Sequence, residues 1–293
     1  MKLRILIIRQ VILTVILIFC SRHDIYSQGT DINQGKQPGI FVGFSLGPSQ
    51  SQIINEGTMS VSELLSSKKN SFFGSAEIGY FFSKYIGLSS GIGFISYGTQ
   101  VTLDTYQSKF SATDSENESY ERRVSGSDIK EVQKVGFLSV PFCINLRLPF
   151  SETFGFFLQT GVNLAVPINK NFESSGTFSY KGYYSAYNVL LENLPAYGFP
   201  SNINSDINGE LEVKPLSLSA VASAGVDFYI NEKMQVAAAA FYNKSLSSIS
   251  AYSSPDKFQL SSDPDQINSL MGGSSKATAQ SIGLKIIFRY YLK

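Results

Sequence analysis

Seven side chains could do polar chemistry in an otherwise apolar setting: Glu77, Arg147, Gln159, Asn163, Asp227, Lys285 and Arg289. Most are flanked by apolar residues on both sides, as Ala76 and Ile78 flank Glu77, and Leu284 and Ile286 flank Lys285. Carboxylates, cations and amides gathered this way can pair charges, or pass an ion along a polar path. Nucleophilic catalysis needs other residues. The only histidine is His23 and the two cysteines are Cys20 and Cys143. If His23 and Cys20 leave with a targeting segment, Cys143 stays alone. Ser/His/Asp, Cys/His and His-ligated metal centres are then excluded, and no intramolecular disulfide can form. No catalytic residue, metal site or cofactor is expected.

The N-terminus has that targeting pattern. Lys2, Arg4 and Arg9 precede an apolar run from Val11 to Phe19, and a short polar stretch, Ser21 to Gln28, follows. This is the layout of a cleaved secretory signal peptide, here residues 1–27. A lipid anchor on Cys20 is opposed by the bulky Phe19 before it. A polar leader, 28–38, then leads to a single unit, 39–293. Formal charge is +1, so nothing electrostatic points to nucleic acid. No apolar run outside the N-terminus nears the roughly 20 residues that a membrane helix needs.

The polar residues must be positioned by strands. From Ile282 onward every second residue is large and apolar (Ile282, Leu284, Ile286, Phe288, Tyr290, Leu292), while Lys285 and Arg289 fall between them. The same alternation recurs in runs at about Gly39 to Ile53, Ser71 to Ser83, Tyr85 to Asp104, Val132 to Leu148, Phe154 to Val166, Pro215 to Ile230 and Met234 to Ile249. Each is a strand with one apolar face. By parity the seven polar residues share the other face with Asn145 and with glycines such as Gly43, Gly87 and Gly91. Those glycines are expected to face bulky inward rings, Phe137, Phe157, Tyr229 and Phe241.

The connections alternate strictly. Those at Ser83–Lys84, Pro149–Thr153 and Asn231–Lys233 are tight. Those at Glu56–Asn70, Thr105–Glu131, Asn169–Lys214 and after Ile249 are long. Soluble sandwiches have no reason to keep this phase; membrane barrels do. The expected fold is all-β: an eight-stranded antiparallel up-and-down transmembrane β-barrel with three short periplasmic turns and four long extracellular loops. Its place is the outer membrane, with both termini periplasmic, and its partners are outer-membrane lipid and the barrel assembly machinery. The long loops are expected to be the least ordered parts and to offer a surface to protein partners. Within the third, Ala186 to Leu194 is expected to form a short helix ended by Pro195.

Gly136-Phe137-Leu138-Ser139-Val140-Pro141-Phe142-Cys143-Ile144-Asn145-Leu146 resembles the "aromatic-Leu-x-Ile/Val-Pro-x-x-x-Lys" strand of the PorT-like outer-membrane β-barrel family of Bacteroidetes type. Cys143 and Asn145 depart from that pattern, which usually has leucine and lysine there. The resemblance implies fold and location and brings no catalytic residues with it. Ser281, Gly283, Ile286 and Phe288 also resemble the terminal signal by which outer-membrane barrels are recognised for insertion. Pro141, inside a central strand, predicts a local bulge or kink.

Eight strands enclose an interior just wide enough for side chains to fill. The lumen residues are therefore expected to form a hydrogen-bonded plug, and the competing reading is a narrow solute or ion channel. Glu77 and Lys285 are expected at one mid-barrel depth, with Arg147, Asp227 and Arg289 nearer the inner end. The acidic stretch Asp104 to Glu131 lacks the spaced ligands of a calcium loop and reads as solvated. Tyr180, Tyr183, Tyr184 and Tyr187 form an aromatic patch suited to an interfacial belt, to loop packing or to binding.

Overall fold

The computed structural model describes residues 39–56, 58–59, 62–252 and 258–292. The expected signal peptide and leader lie outside the described residues. Eight long strands carry the fold: β1 (Gly39–Glu56), β2 (Leu65–Phe81), β3 (Ile86–Thr113), β4 (Ser119–Pro149), β5 (Phe154–Tyr184), β6 (Ser217–Tyr229), β7 (Met234–Ser245) and β8 (Lys276–Tyr291). Each pairs antiparallel with its sequence neighbours, and β8 pairs with β1, so the sheet closes into a ring. The three tight turns are capped by their own side chains. Ser83 Oγ accepts from the amides of Tyr85 and Ile86, Ser151 Oγ from that of Phe154, and Asn231 Oδ1 from those of Lys233 and Met234.

The wall is inverted relative to a soluble protein. Leu284 is 66% exposed while its neighbour Lys285 is 5% exposed. Ile40, Phe44, Phe72, Ile92, Ile144 and Phe156 point outward, whereas Asn145, Arg147, Gln159, Asp227 and Arg289 are buried. In water this distribution would forfeit the hydrophobic term; against hydrocarbon it recovers it. At the end with the tight turns the outer face is aromatic, with Phe150, Phe154 and Phe156 packed together and Tyr80 edge-on to Phe82. Such a girdle suits the membrane–water boundary.

Beyond the apolar band, three strands keep going. β4 and β5 are each 31 residues long and β3 is 28, about three times the 9–11 residues that a crossing needs. The stretches expected as long loops are therefore largely ladder. Thr105–Glu131 is a hairpin whose register runs from Thr105↔Ser127 to Thr113↔Ser119, and the connection after β1 shrinks because β1 reaches Glu56 and β2 begins at Leu65. The expected helix at Ala186–Leu194 is absent. Val189–Glu192 forms a short strand on β5, entered and left through Asn188 and Asn193 at φ of 54° and 55°, positions where asparagine tolerates the left-handed region that breaks a helix. Pro195–Tyr197 is a 3₁₀ turn, and Ile203–Glu210 is a further strand on β5.

Two other expectations change. Pro141 makes no bulge: the β3–β4 register is the same on either side, and pairing skips from Ser90↔Phe142 to Gly93↔Ser139. The register shifts of this strand lie elsewhere, at Ser127/Lys130 and Gly136/Phe137 against β5. The strand thus absorbs the missing N–H as an open rung. The charged ion pairs of the interior also gather near the tight-turn end. Higher up apolar residues dominate, first Ile53, Tyr97, Phe137, Leu211 and Met271, then Leu103, Ile129, Phe178, Tyr180 and Leu270, with the buried Glu131 and Gln133 set among them.

Candidate functional site

The lumen cluster is built on one row of the wall. Glu77 on β2 pairs with Gly43 on β1, and Gly43 pairs with Arg289 on β8. Glycine leaves the middle of the row empty, so the two long side chains close over it: Arg289 Nε donates to Glu77 Oε1 at 2.8 Å. A Cβ on residue 43 would lie 2.8 Å from the Phe288 carbonyl oxygen and 3.1 Å from Arg289 Cγ. Arg289, expected deeper than Glu77, meets it because both flank the same glycine. Lys285 sits further up, its Nζ 5.6 Å from the centroid of the Phe73 ring.

Gln159 joins the set. Its Nε2 donates to Glu77 Oε2 at 3.0 Å and to Asn145 Oδ1 at 3.1 Å, and its Oε1 accepts from Lys285 Nζ at 2.9 Å. Arg289 also donates to Asn145 Oδ1, and its guanidinium lies over Phe41 and Phe157. One carboxylate, two cations and two amides thus satisfy one another across the full width of the barrel. The expected pairing of glycines with rings on the far wall is replaced by neighbours: Gly79 lies under Phe41, and Gly87 under Phe81.

A second pair uses the same device. Arg147 on β4 reaches over Gly155 on β5 to Asp227 on β6, which is the residue opposite Gly155 in the ladder. Nε and Nη2 bind the carboxylate at 2.7 to 3.0 Å, and the guanidinium covers the Tyr229 ring at 4.7 Å. The fork geometry of arginine suits this. Asn163 stands apart from both groups, in the wall of a void of about 10 Å³ beside Ser139, Ser217, Ser219 and Ser245, room for about one water.

Sequence reasoning missed the group above them. Glu131, expected on a solvated loop, is fully buried on the inward face of β4. Its carboxylate accepts from Ser269 Oγ at 2.6 Å, from the Leu270 amide at 2.8 Å and from Gln133 Nε2 at 2.7 Å. Gln133 in turn accepts from Asn55, and Asn55 from Ser274. These bonds hold the Leu270–Gly273 turn, wholly buried, inside the projecting part of the barrel. Ser261 and Asp263 of the same loop are held by Tyr180 at 2.7 Å and by Arg122 at 2.8 Å. No ion pair reaches Glu131 among the described residues, and burial pushes its carboxyl up to about 7. The inward alternation Glu131, Gln133, Val135, Phe137 was the available signal. Of the tyrosine patch, Tyr180 is buried core, while Tyr183, Tyr184 and Tyr187 lie at the far tip.

A family model described as outer membrane protein beta-barrel domain matches residues 30–251. Among solved structures the chain is similar to the outer membrane protein OprG from Pseudomonas aeruginosa at 13% identity, covering 89% of this chain and 99% of that one, with a TM-score of 0.35. It is similar to Ail, the attachment invasion locus protein of Yersinia pestis, at 12% identity, 86% and 99% coverage and a TM-score of 0.31. The outer membrane protease OmpT from Escherichia coli matches at 10% identity, 87% and 97% coverage and a TM-score of 0.32. No curated protein matches the chain.

Proposed function

The chain belongs to the outer membrane protein beta-barrel domain family, and from that premise we propose that it is a non-enzymatic barrel with a closed lumen, whose projecting strands face the cell exterior as a recognition surface. The observation that carries this is the double closure of the interior. The cluster of Glu77, Arg289, Gln159 and Lys285 crosses the lumen, and the loop seated on Glu131 fills the space above it. A packed interior crossed by this network leaves no path for solute. The lumen residues are then structural, and binding belongs to the far tip, where β3, β4 and β5 stand clear of lipid.

Planar-bilayer recording of the refolded protein tests the reading. Silence at 100 mV or so is the expected result; steady unitary current that vanishes when the lumen is filled, for instance in Ser219→Phe, would establish the runner-up, a narrow channel. A place as accessory subunit of a secretion or assembly complex, the alternative to which the resemblance of the Gly136–Leu146 strand to the PorT-like family points, is tested by co-purification from native membranes in mild detergent.

A further inference from the structure

At the far tip the β3–β4 turn faces the arm that follows β5 across an open cavity of about 610 Å³, within the range of small-ligand sites. Its wall is aromatic. Tyr120 and Tyr184 are stacked at 5.1 Å, and Phe199 meets Tyr120 edge-on at 5.7 Å. Tyr197 also lines the cavity and is 75% exposed. Its rim carries three carboxylates, Asp114, Glu116 and Glu118, and no basic residue is part of the lining. The nearby Arg122 is already engaged by Asp263, the Gly198 carbonyl and Tyr120, and Arg123 by Glu121.

The rim is pre-organised. Asp114 Oδ1 accepts from the amides of Glu116 and Glu118 at 2.9 Å each, and its Oδ2 accepts from Tyr184 Oη at 3.0 Å. The Glu118 amide foremost holds the Asp114 carboxyl below its usual range, so the rim is anionic at neutral pH. Tyr187 Oη donates to Glu118 at 2.6 Å. Two tyrosine hydroxyls are thereby turned away from donating to a guest. What the cavity offers foremost is π-faces and carboxylate acceptors, the two features that attract organic cations. The Ser115 and Tyr197 hydroxyls also line it, so the excess of carboxylates, not a lack of donors, favours a cation over a neutral sugar, and an anion would be repelled.

We propose that this cavity binds an alkylammonium or guanidinium cation, either the lysine or arginine side chains of a peptide or a free polyamine. The inference rests on the tip being the recognition surface, and it is read independently of conductance: current through the lumen would overturn the closed-barrel reading and leave this site standing.

Titration calorimetry on the refolded full chain in detergent tests it with four probes: tetra-arginine peptide, spermidine, a neutral tetra-alanine peptide and the neutral oligosaccharide maltotetraose. Saturable heat with either cationic probe is expected, falling at least fivefold in affinity between 20 and 200 mM NaCl as screening predicts, with none for tetra-alanine. A preference for the peptide or for spermidine identifies the source. Glu116→Gln, whose side chain makes no bond that the turn depends on, should weaken binding severalfold, and Tyr197→Ala likewise. Absence of saturable heat up to millimolar probe overturns the proposal. So does binding that both variants leave unchanged, or tighter binding of a neutral oligosaccharide.

Discussion

Glu77 and Arg289 stand on strands that do not touch, yet their side chains meet at 2.8 Å because Gly43, on the strand between them, has no side chain to keep them apart. Arg147 and Asp227 repeat the relationship over Gly155. In each case a glycine on the middle strand makes an ion pair across it possible.

Removing one partner should therefore hurt more than removing both. The two side chains are 2% and 9% exposed, and Glu77→Gln leaves a buried guanidinium without its counter-charge, at a cost of about 3–5 kcal/mol. The double variant Glu77→Met with Arg289→Met should recover most of that loss. Guanidinium chloride unfolding in lipid vesicles measures both, and purely additive losses would contradict the pairing.

Gly43 should tolerate no side chain. Gly43→Val forces a branched group into the Phe288 carbonyl and between the paired side chains, with an expected loss of about 1–3 kcal/mol from overpacking on top of the strained pair. Gly74, whose Cβ position lies 3.4 Å or more from its neighbours, is the control and should accept alanine with little change in the same assay.

Leu284 and Lys285 are adjacent and face opposite solvents. Leu284→Lys puts a cation on the lipid side and should destabilise the folded barrel by about 2–4 kcal/mol. Leu284→Phe should be nearly silent. Equal tolerance of both in vesicles, but not in detergent alone, would mean that this face does not meet hydrocarbon.

Stability of the folded barrel should depend on pH through Glu131. Its carboxyl has an ordinary value of 4.5 and burial raises it to about 7, while the bonds from Ser269, Gln133 and the Leu270 amide act the other way. The folded state thus binds the proton more tightly than the unfolded one. This contribution to stability is full below about 4.5, declines as pH rises, and is gone above about 7. The guanidinium chloride midpoint of unfolding in vesicles should accordingly lose this increment between pH 5 and pH 8. Glu131→Gln should flatten that difference, and an unchanged profile in this variant would assign the dependence to another group.

Much of this was legible from parity alone. Period-two alternation and the phase of the connections gave eight strands, their order and the inward set, because a membrane wall punishes any departure from alternation. Depth was not legible. Arg289 was expected below Glu77, since side-chain reach over a glycine depends on neighbouring register, which one strand's sequence does not contain. The far half was read as loop for a different reason: once Thr105–Glu131 leaves lipid, its outward face turns polar, and the one-sided pattern that marks a strand fades while the ladder continues. Glu131 was lost with it. The Ala186–Leu194 stretch has residues that helices accept, and the pairing with Lys181–Tyr184 decided otherwise.

The ion pair over Gly43 also carries information about time. β1 and β8 are far apart in sequence, and their junction is where the cylinder is sewn shut. Glu77 belongs to one side of that seam and Arg289 to the other, so their bond has no counterpart in any half-assembled intermediate in which the two ends of the chain are still apart. It is a clasp that registers closure, absent until the two edges meet.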